Sequence, residues 1–169
     1  MINHIAVAAV ATFAAVVLSA PAAQAANDIN LLTVNTVDNK ALVKIDGSNN
    51  NLQIMQDSSG FASGNMLTLT IKGDLNGGPL ASQFTGAALL PGLKPGSIMQ
   101  KGQGNSIAMD IVGSKNLFAV AQNGTGNIVA ASITGLANQA SVSQIGNNNV
   151  AGFSQNGNGN IVSIMQRSW

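Results

Sequence analysis

Apolar residues recur in this chain on alternate positions, in pairs, each pair placed behind an asparagine. The residues two and four places after successive asparagines are Ala41 and Val43, Leu52 and Ile54, Leu67 and Leu69, Ile107 and Met109, and Phe118 and Val120. The series continues with Val129 and Ala131, Ala140 and Val142, Ala151 and Phe153, and Val162 and Ile164. The positions between them are mixed, as in Lys40-Leu42-Lys44, Ser106-Ala108-Asp110 and Gln139-Ser141-Ser143. A period of two with one apolar row is the pattern of a strand that buries one face. Each unit therefore predicts a strand of about seven residues, running from Asn to Gln or Ile. It is followed by a tight x-Gly-x-x turn in which glycine takes a positive φ.

The units keep a strict spacing. Gln100-x-Gly102-x-x-Asn105 is followed by Ile111-x-Gly113-x-x-Asn116, Gln122-x-Gly124-x-x-Asn127 and Ile133-x-Gly135-x-x-Asn138. Gln144-x-Gly146-x-x-Asn149, Gln155-x-Gly157-x-x-Asn160 and Gln166 complete a period of eleven residues. Nearer the N-terminus the frame is looser. Ile45-x-Gly47-x-x-Asn50 leads to Gln56, four extra residues enter before Asn65, and Ile71-x-Gly73-x-x-Asn76 restores the pattern. Val34-x-Thr36-x-x-Asn39 reads as a degenerate first copy, and the stretch 77–99, with Pro79, Pro91 and Pro95, as an irregular insertion. One repeat domain over 26–169 results: degenerate repeats at 34–76, the insertion at 77–99, regular repeats at 100–166. An eleven-residue period also suits a helical supercoil, but Gly and Asn in every unit oppose helix. The expected fold is all-β, a cross-β solenoid with two strand-turn units per coil. About eleven strands would give five or six coils, a stack roughly 25–30 Å tall.

Stacking puts like residues above one another. Gln100, Gln122, Gln144 and Gln166 fall one coil apart, as do Asn105, Asn127 and Asn149, and on the opposite arc Asn116, Asn138 and Asn160. Gln155 completes the candidate amides, and Gly102, Gly113, Gly124, Gly135, Gly146 and Gly157 are the turn glycines. Identical stacked amides can donate to one neighbour and accept from the other, which removes the cost of burying them.

Ahead of the repeats lies an apolar run, Ile5 to Leu18, followed by Ala23-Gln24-Ala25. The run is too short for a bilayer of about 30 Å, and the small-x-small triplet suits signal-peptidase cleavage. A core helix is the other reading of the run, and Met1-Ile2-Asn3-His4 lacks Lys and Arg. The expectation is a signal peptide at 1–25, export, and a mature chain from Ala26 to Trp169. No later segment suggests a membrane span.

Composition narrows the chemistry. Of 169 residues only 8% are charged and the net charge is +1, so nothing in it draws nucleic acid. There is no Cys, Glu or Tyr, and His4 is the one His. The Asp residues fall singly, so neither an enzyme nor a metal or other cofactor is expected. Asn occurs 21 times, Gln 11 and Gly 19, and no charged residue lies between Asn116 and Gln166. An uncharged, Pro-free, amide-rich last coil is the pattern of cross-β assembly, and the partner it implies is another copy of the chain. Lys101, Asp110 and Lys115 lie on or beside turns around the Ile111 strand. They read as gatekeepers against premature aggregation or as ordinary solvated charges. Met55, Met99 and Met165 fall on the outer face, and Trp169 in the tail. The alternative to a polymer is a monomeric solenoid that binds ice or glycan through a flat outer array. Only Thr68 and Thr70 form a Thr-x-Thr pair.

The segments Gln144 to Gln155 and Gln155 to Gln166 resemble the curlin repeat of bacterial curli subunits, closely over 100–166 and loosely over 34–76. The resemblance implies an extracellular functional amyloid that builds biofilm matrix and mediates adhesion. It also implies a nucleator subunit and an outer-membrane secretion pore as partners, with the matching Gln and Asn positions driving polymerisation. Two features depart from the family pattern. Residues 26–33 lack a Gly-rich leader, and the 77–99 insertion and the Ile units are atypical. Major subunit and minor nucleator both stay open, with the major type preferred.

Overall fold

A computed structural model describes residues 4–9, 13–19, 26–34, 38–79, 82–86 and 92–169. Its strands are β1 (His4–Ala9), β2 (Phe13–Ser19), β3 (Asp28–Val34), β4 (Lys40–Asp46), β5 (Asn51–Asp57), β6 (Met66–Lys72) and β7 (Ser97–Gln103). They continue as β8 (Ser106–Ser114), β9 (Leu117–Thr125), β10 (Ile128–Leu136), β11 (Gln139–Asn147), β12 (Val150–Asn156) and β13 (Ile161–Arg167). Odd-numbered strands form one sheet in the order β1-β3-β5-β7-β9-β11-β13, and even-numbered strands the other, β12-β10-β8-β6-β4-β2. The chain is thus a two-sheet β-solenoid. Every neighbour within a sheet is parallel and a full coil away, with like positions opposed, as in Gln122↔Gln144↔Gln166 and Ile107↔Val129↔Ala151.

The inner faces of the two sheets meet in a single core. Of the eighteen inner positions marked by the alternation, Ala131, Phe153, Val162 and Ile164 are half-buried and the others buried. Phe153, Val162 and Ile164 lie in the last strands, β12 and β13, at the open edge of each sheet, and Ala131 lies directly beneath Phe153.

At the N-terminal end the stack starts earlier than the repeat pattern suggests. Ile29 and Leu31 are fully buried, and Thr33 lies in register with Gln56. The first unit is therefore Asn27-x-Ile29-x-Leu31-x-Thr33, one residue ahead of a unit based on Val34. Its turn is longer: Asn39 comes six residues after Thr33, against five from Ile111 to Asn116. β1 pairs with β3 and β2 with β4, so the described residues of the apolar run are extended, not helical, and continue the stack. The cleavage triplet at 23–25 lies outside the described residues.

The insertion interrupts a strand rather than a turn. The chain leaves the coil at Gly77 and returns at Gly96, and both glycines lie against the carbonyl of Asn51: an added Cβ would stand 2.0 and 2.5 Å from its oxygen. The Gly77 N–H donates to Asn116 O and the Gly96 N–H to Phe118 O, both at 2.8 Å, so the ladder closes across the excursion. Ser97 to Met99, read from the sequence as insertion, belong to β7. Gly96 immediately precedes the Ser97↔Gln53 pair and so sits in the inner row between Leu52 and Phe118. It offers no side chain, and the Phe118 ring beside it is completely buried. Outside the stack the insertion forms a strap over the odd-strand sheet. Phe84 is buried on Ala119 with Leu93 and Leu117 against it, and Thr85 and Gln139 exchange two hydrogen bonds of 2.8 and 2.7 Å.

Two substitutions separate these packings. Phe118→Ala opens a cavity beside Gly96 and should lower the stability of the unassembled protein by about 3–5 kcal/mol in urea titration. Phe84→Ala should leave the strand signal in circular dichroism intact while speeding protease cleavage within 78–95.

Candidate functional site

Side-chain amides form three continuous columns through the stack. Along the odd-strand sheet, Nε2 of Gln56 donates to Oε1 of Gln100 (2.9 Å), Gln100 to Gln122 (3.0 Å), Gln122 to Gln144 (2.9 Å) and Gln144 to Gln166 (2.7 Å). The same Nε2 atoms also reach across the core to backbone carbonyls at the start of the facing strands: Gln100 to Met66, Gln122 to Ser106, Gln144 to Ile128 and Gln166 to Val150, at 2.8–3.1 Å. Each glutamine so ties its coil to the next and one sheet to the other. Leaving such a buried amide unpaired would cost about 1–3 kcal/mol.

Gln155 stands apart from this column. It belongs to the even-strand sheet, above Ile45, Ile71, Ile111 and Ile133. Its Nε2 donates to Gln139 O at 3.0 Å, but its Oε1 is buried with no hydrogen-bond partner among the described residues. Gln56 Oε1, at the other end of the glutamine column and next to Thr33, is orphaned in the same way.

The asparagine columns run along the two turns. The N–H and Nδ2 of each asparagine donate to Oδ1 of the one a coil earlier: Asn127 to Asn105 (3.1 and 2.9 Å), Asn149 to Asn127 (3.1 and 2.9 Å), Asn138 to Asn116 (3.0 and 3.1 Å) and Asn160 to Asn138 (2.9 and 3.0 Å). Nδ2 donates onward to a turn-glycine carbonyl in the next coil, as from Asn105 to Gly124 and from Asn138 to Gly157 (2.9 and 2.8 Å). One side chain therefore bridges three coils. The columns reach back through Asn76, Asn50 and Asn27 on one arc and through Asn65 and Asn39 on the other. These earlier members hold the same place, two residues before the apolar pair, but at irregular intervals of 23 to 40 residues in the chain, so the eleven-residue spacing does not mark them as column members.

The turn glycines are held by contact as well as by φ. An added Cβ would lie 2.0 Å from the next coil's carbonyl oxygen at Gly102, Gly113, Gly135 and Gly146, and 1.9 Å at Gly124. Gly146 meets Ser168 O, and Ser168 also bonds Asn147 and Asn149, so Arg167 and Ser168 begin the next turn on that arc. Gly157 differs: its Cβ would meet only Asn160 Nδ2, at 3.5 Å. On that arc the C-terminal face is open. Just before the asparagines, Lys115, Ala137 and Asn148 adopt left-handed φ values of 60°, 55° and 55°.

The three charges marked in the sequence do not converge. Lys101 is exposed on the odd-strand sheet and pairs in register with Asp57. Hydrogen bonds from the Ser59 hydroxyl and N–H hold the Asp57 carboxyl below its usual range, with Lys101 adding to the effect. Asp110 is exposed on the other sheet between Thr70 and Ser132, and Lys115 projects from a turn. Met99 and Met165 are exposed and Met55 is half-buried on the outer face, and Trp169 is exposed in the tail. Among the described residues no helix is long and apolar enough to cross a membrane.

The turn geometry makes a paired prediction for the unassembled protein. Gly135→Ala, which drives Cβ into Gly157 O, should lower the urea midpoint sharply, by at least about 2 kcal/mol in stability. Ala137→Gly, two residues away, should raise stability by about 1 kcal/mol by relieving its left-handed φ.

Residues 135–167 match the family profile of the curlin associated repeat. Over that stretch, from the end of β10 through β13, the chain is similar to that repeat. Neither a curated protein nor a solved structure matches the chain.

Proposed function

We propose that this curlin-repeat chain is the structural subunit of an extracellular curli-type fibre, in which copies stack end to end and extend the solenoid. One observation carries the reading: the C-terminal face is an unfinished coil. Among the described residues, the β12 and β13 edges are unpaired, Val162 and Ile164 are half-covered, no coil lies beyond Gly157, and the amide columns stop in the open at Gln166, Asn149 and Asn160. Parallel in-register strands with identical stacked residues propagate by adding the same surface again. A second copy supplies that surface at no cost in new chemistry.

The repeat match supports a structural, non-catalytic role and an extracellular setting. Removal of residues 1–25 would bare the β3 and β4 edges for the same kind of pairing. By family resemblance a nucleator subunit and an outer-membrane pore serve assembly and export, and the fibre serves biofilm matrix and adhesion. Lys101, Asp110 and Lys115 would act on the rim as gatekeepers. A monomeric ice- or glycan-binding role fits less well, because the outer column Leu42-Thr68-Ala108-Ala130-Gly152 is irregular.

Purified protein at micromolar concentration should form thioflavin-positive fibres with a meridional reflection at about 4.7–4.8 Å. A chain that stays monomeric for days would refute the proposal. Gly157→Ala strains its own turn at a φ of 113° but meets no backbone in the monomer, so it should keep the strand signal in circular dichroism while slowing growth roughly tenfold or more, a loss of about 1.4 kcal/mol or more. Gln144→Ala combined with Gln166→Ala should lengthen the lag and slow elongation, and unchanged kinetics would remove the amide column as the driver.

A further inference from the structure

The two sheets do not end level. Among the described strands, seven lie in the odd sheet and six in the even, so the odd sheet finishes one strand higher, at β13, than the even sheet at β12. The N-terminal end begins in the odd sheet, with β1 and β2 present or, if residues 1–25 are removed, with β3 and β4. Either form holds an odd number of strands, because the leader contributes one to each sheet.

This parity decides how a second copy can seat. If copies were related by a simple shift along the axis, the first strand of the incoming copy would lie on β13. The even sheet would then lack a strand between β12 and the incoming copy's second strand. That slot would leave two strand edges about 10 Å apart, each with backbone groups that are costly to leave unpaired and buried. A half turn removes the slot. The incoming first strand then pairs with β12 and the second with β13, and both run parallel to their new neighbours because the two sides of a coil run in opposite directions.

The local pattern accepts the exchange. Both arcs of the regular repeats carry the same x-Gly-x-x-Asn turn and each sheet carries the same inner alternation, so the apolar rows of one sheet fit the columns of the other. The glutamine column ends at this joint, where Ile45 falls on Gln166, whose Nε2 keeps Val150 O as its acceptor. With β3 of the incoming copy on β12, Ile29 and Leu31 cover Ala151 and Phe153, and Asn27 takes its place in the asparagine column above Asn149. Thr33 lands against Gln155, giving a hydroxyl to the one buried amide of the last coils that stands on isoleucine rather than on glutamine.

Resting on the fibre reading above, we infer that successive copies in the fibre are related by a half turn about its axis. The odd-strand sheet of one copy continues into the even-strand sheet of the next. The described residues of the strap, Phe84, Thr85 and Leu93, pack on the odd-strand sheet, so the strap emerges on alternate sides of the fibre.

Helical reconstruction by cryo-electron microscopy of fibres grown from the protein, with or without residues 1–25, tests this. The expected subunit rotation is near 180° plus the accumulated coil twist. The expected rise is about 26 Å for eleven strands and about 31 Å for thirteen, with strap density alternating between opposite faces. A rotation near zero with all straps on one face would overturn the half turn while leaving the fibre intact. Absence of any cross-β fibre would instead overturn the proposed function and this inference with it.

Discussion

The side-chain oxygen of an amide buried in this stack finds its donor along the axis, from the same kind of group one coil away. The core between the sheets is one side chain deep and apolar, so it offers a buried amide no lateral partner except a backbone carbonyl. The geometry then requires that whatever stands at a column position be repeated. Gln56 through Gln166 meets the requirement with one amide per coil, and the asparagines meet it twice over by taking both Oδ1 and the next glycine carbonyl. Isoleucine at 45, 71, 111 and 133 satisfies it trivially, having no polar atom to pair. The column rule also accounts for the ends. A column that is complete inside the chain is incomplete at its last member, and among the described residues nothing covers Gln166, Asn149 or Asn160, which leaves that deficit where another copy can reach it.

Backbone proximity imposes the second constraint. At the turns, successive coils approach so closely that glycine's missing Cβ is replaced by the next coil's carbonyl oxygen. Where the stack yields to an excursion, at Gly77 and Gly96, the chain again uses glycine, since both departing and returning backbones crowd the carbonyl of Asn51. The cost is a missing inner side chain at 96, and the buried ring of Phe118 in the adjacent coil offsets it. The strap therefore sits outside a core that hardly registers it.

Much of this was legible because a column is a repetition in sequence. The alternation after each asparagine marked the buried row, and the eleven-residue spacing marked the turns. What escaped shows how stacking hides from a local motif. Gln155 matches Gln144 by spacing, yet the column it joins holds isoleucine at 45, 71, 111 and 133, so its oxygen is left without a partner among the described residues. The β3 unit escaped because Thr33 replaces the glutamine and the following turn carries an extra residue, although Asn27, Ile29 and Leu31 kept the inner pattern. The insertion seemed to end at 99 because its prolines obscure a strand that resumes at Ser97. Where the strap lies was written nowhere locally, since Phe84 and Thr85 find partners far along the chain.

The direction of the hydrogen bonds has an electrostatic consequence. In the asparagine columns every hydrogen bond from one side-chain amide to another points toward the N-terminal end, from Asn127 to Asn105 and from Asn160 to Asn138, while the second Nδ2 hydrogen goes to a glycine carbonyl of the next coil. In the glutamine column every donor points the other way, from Gln100 to Gln122 and from Gln144 to Gln166. Aligned amide dipoles add along a column, as they do along a helix. Columns of one sense would build a polarisation that deepens with every coil. Running the glutamines against the asparagines offsets part of it, so the field at a tip owes less to the length of stack behind it.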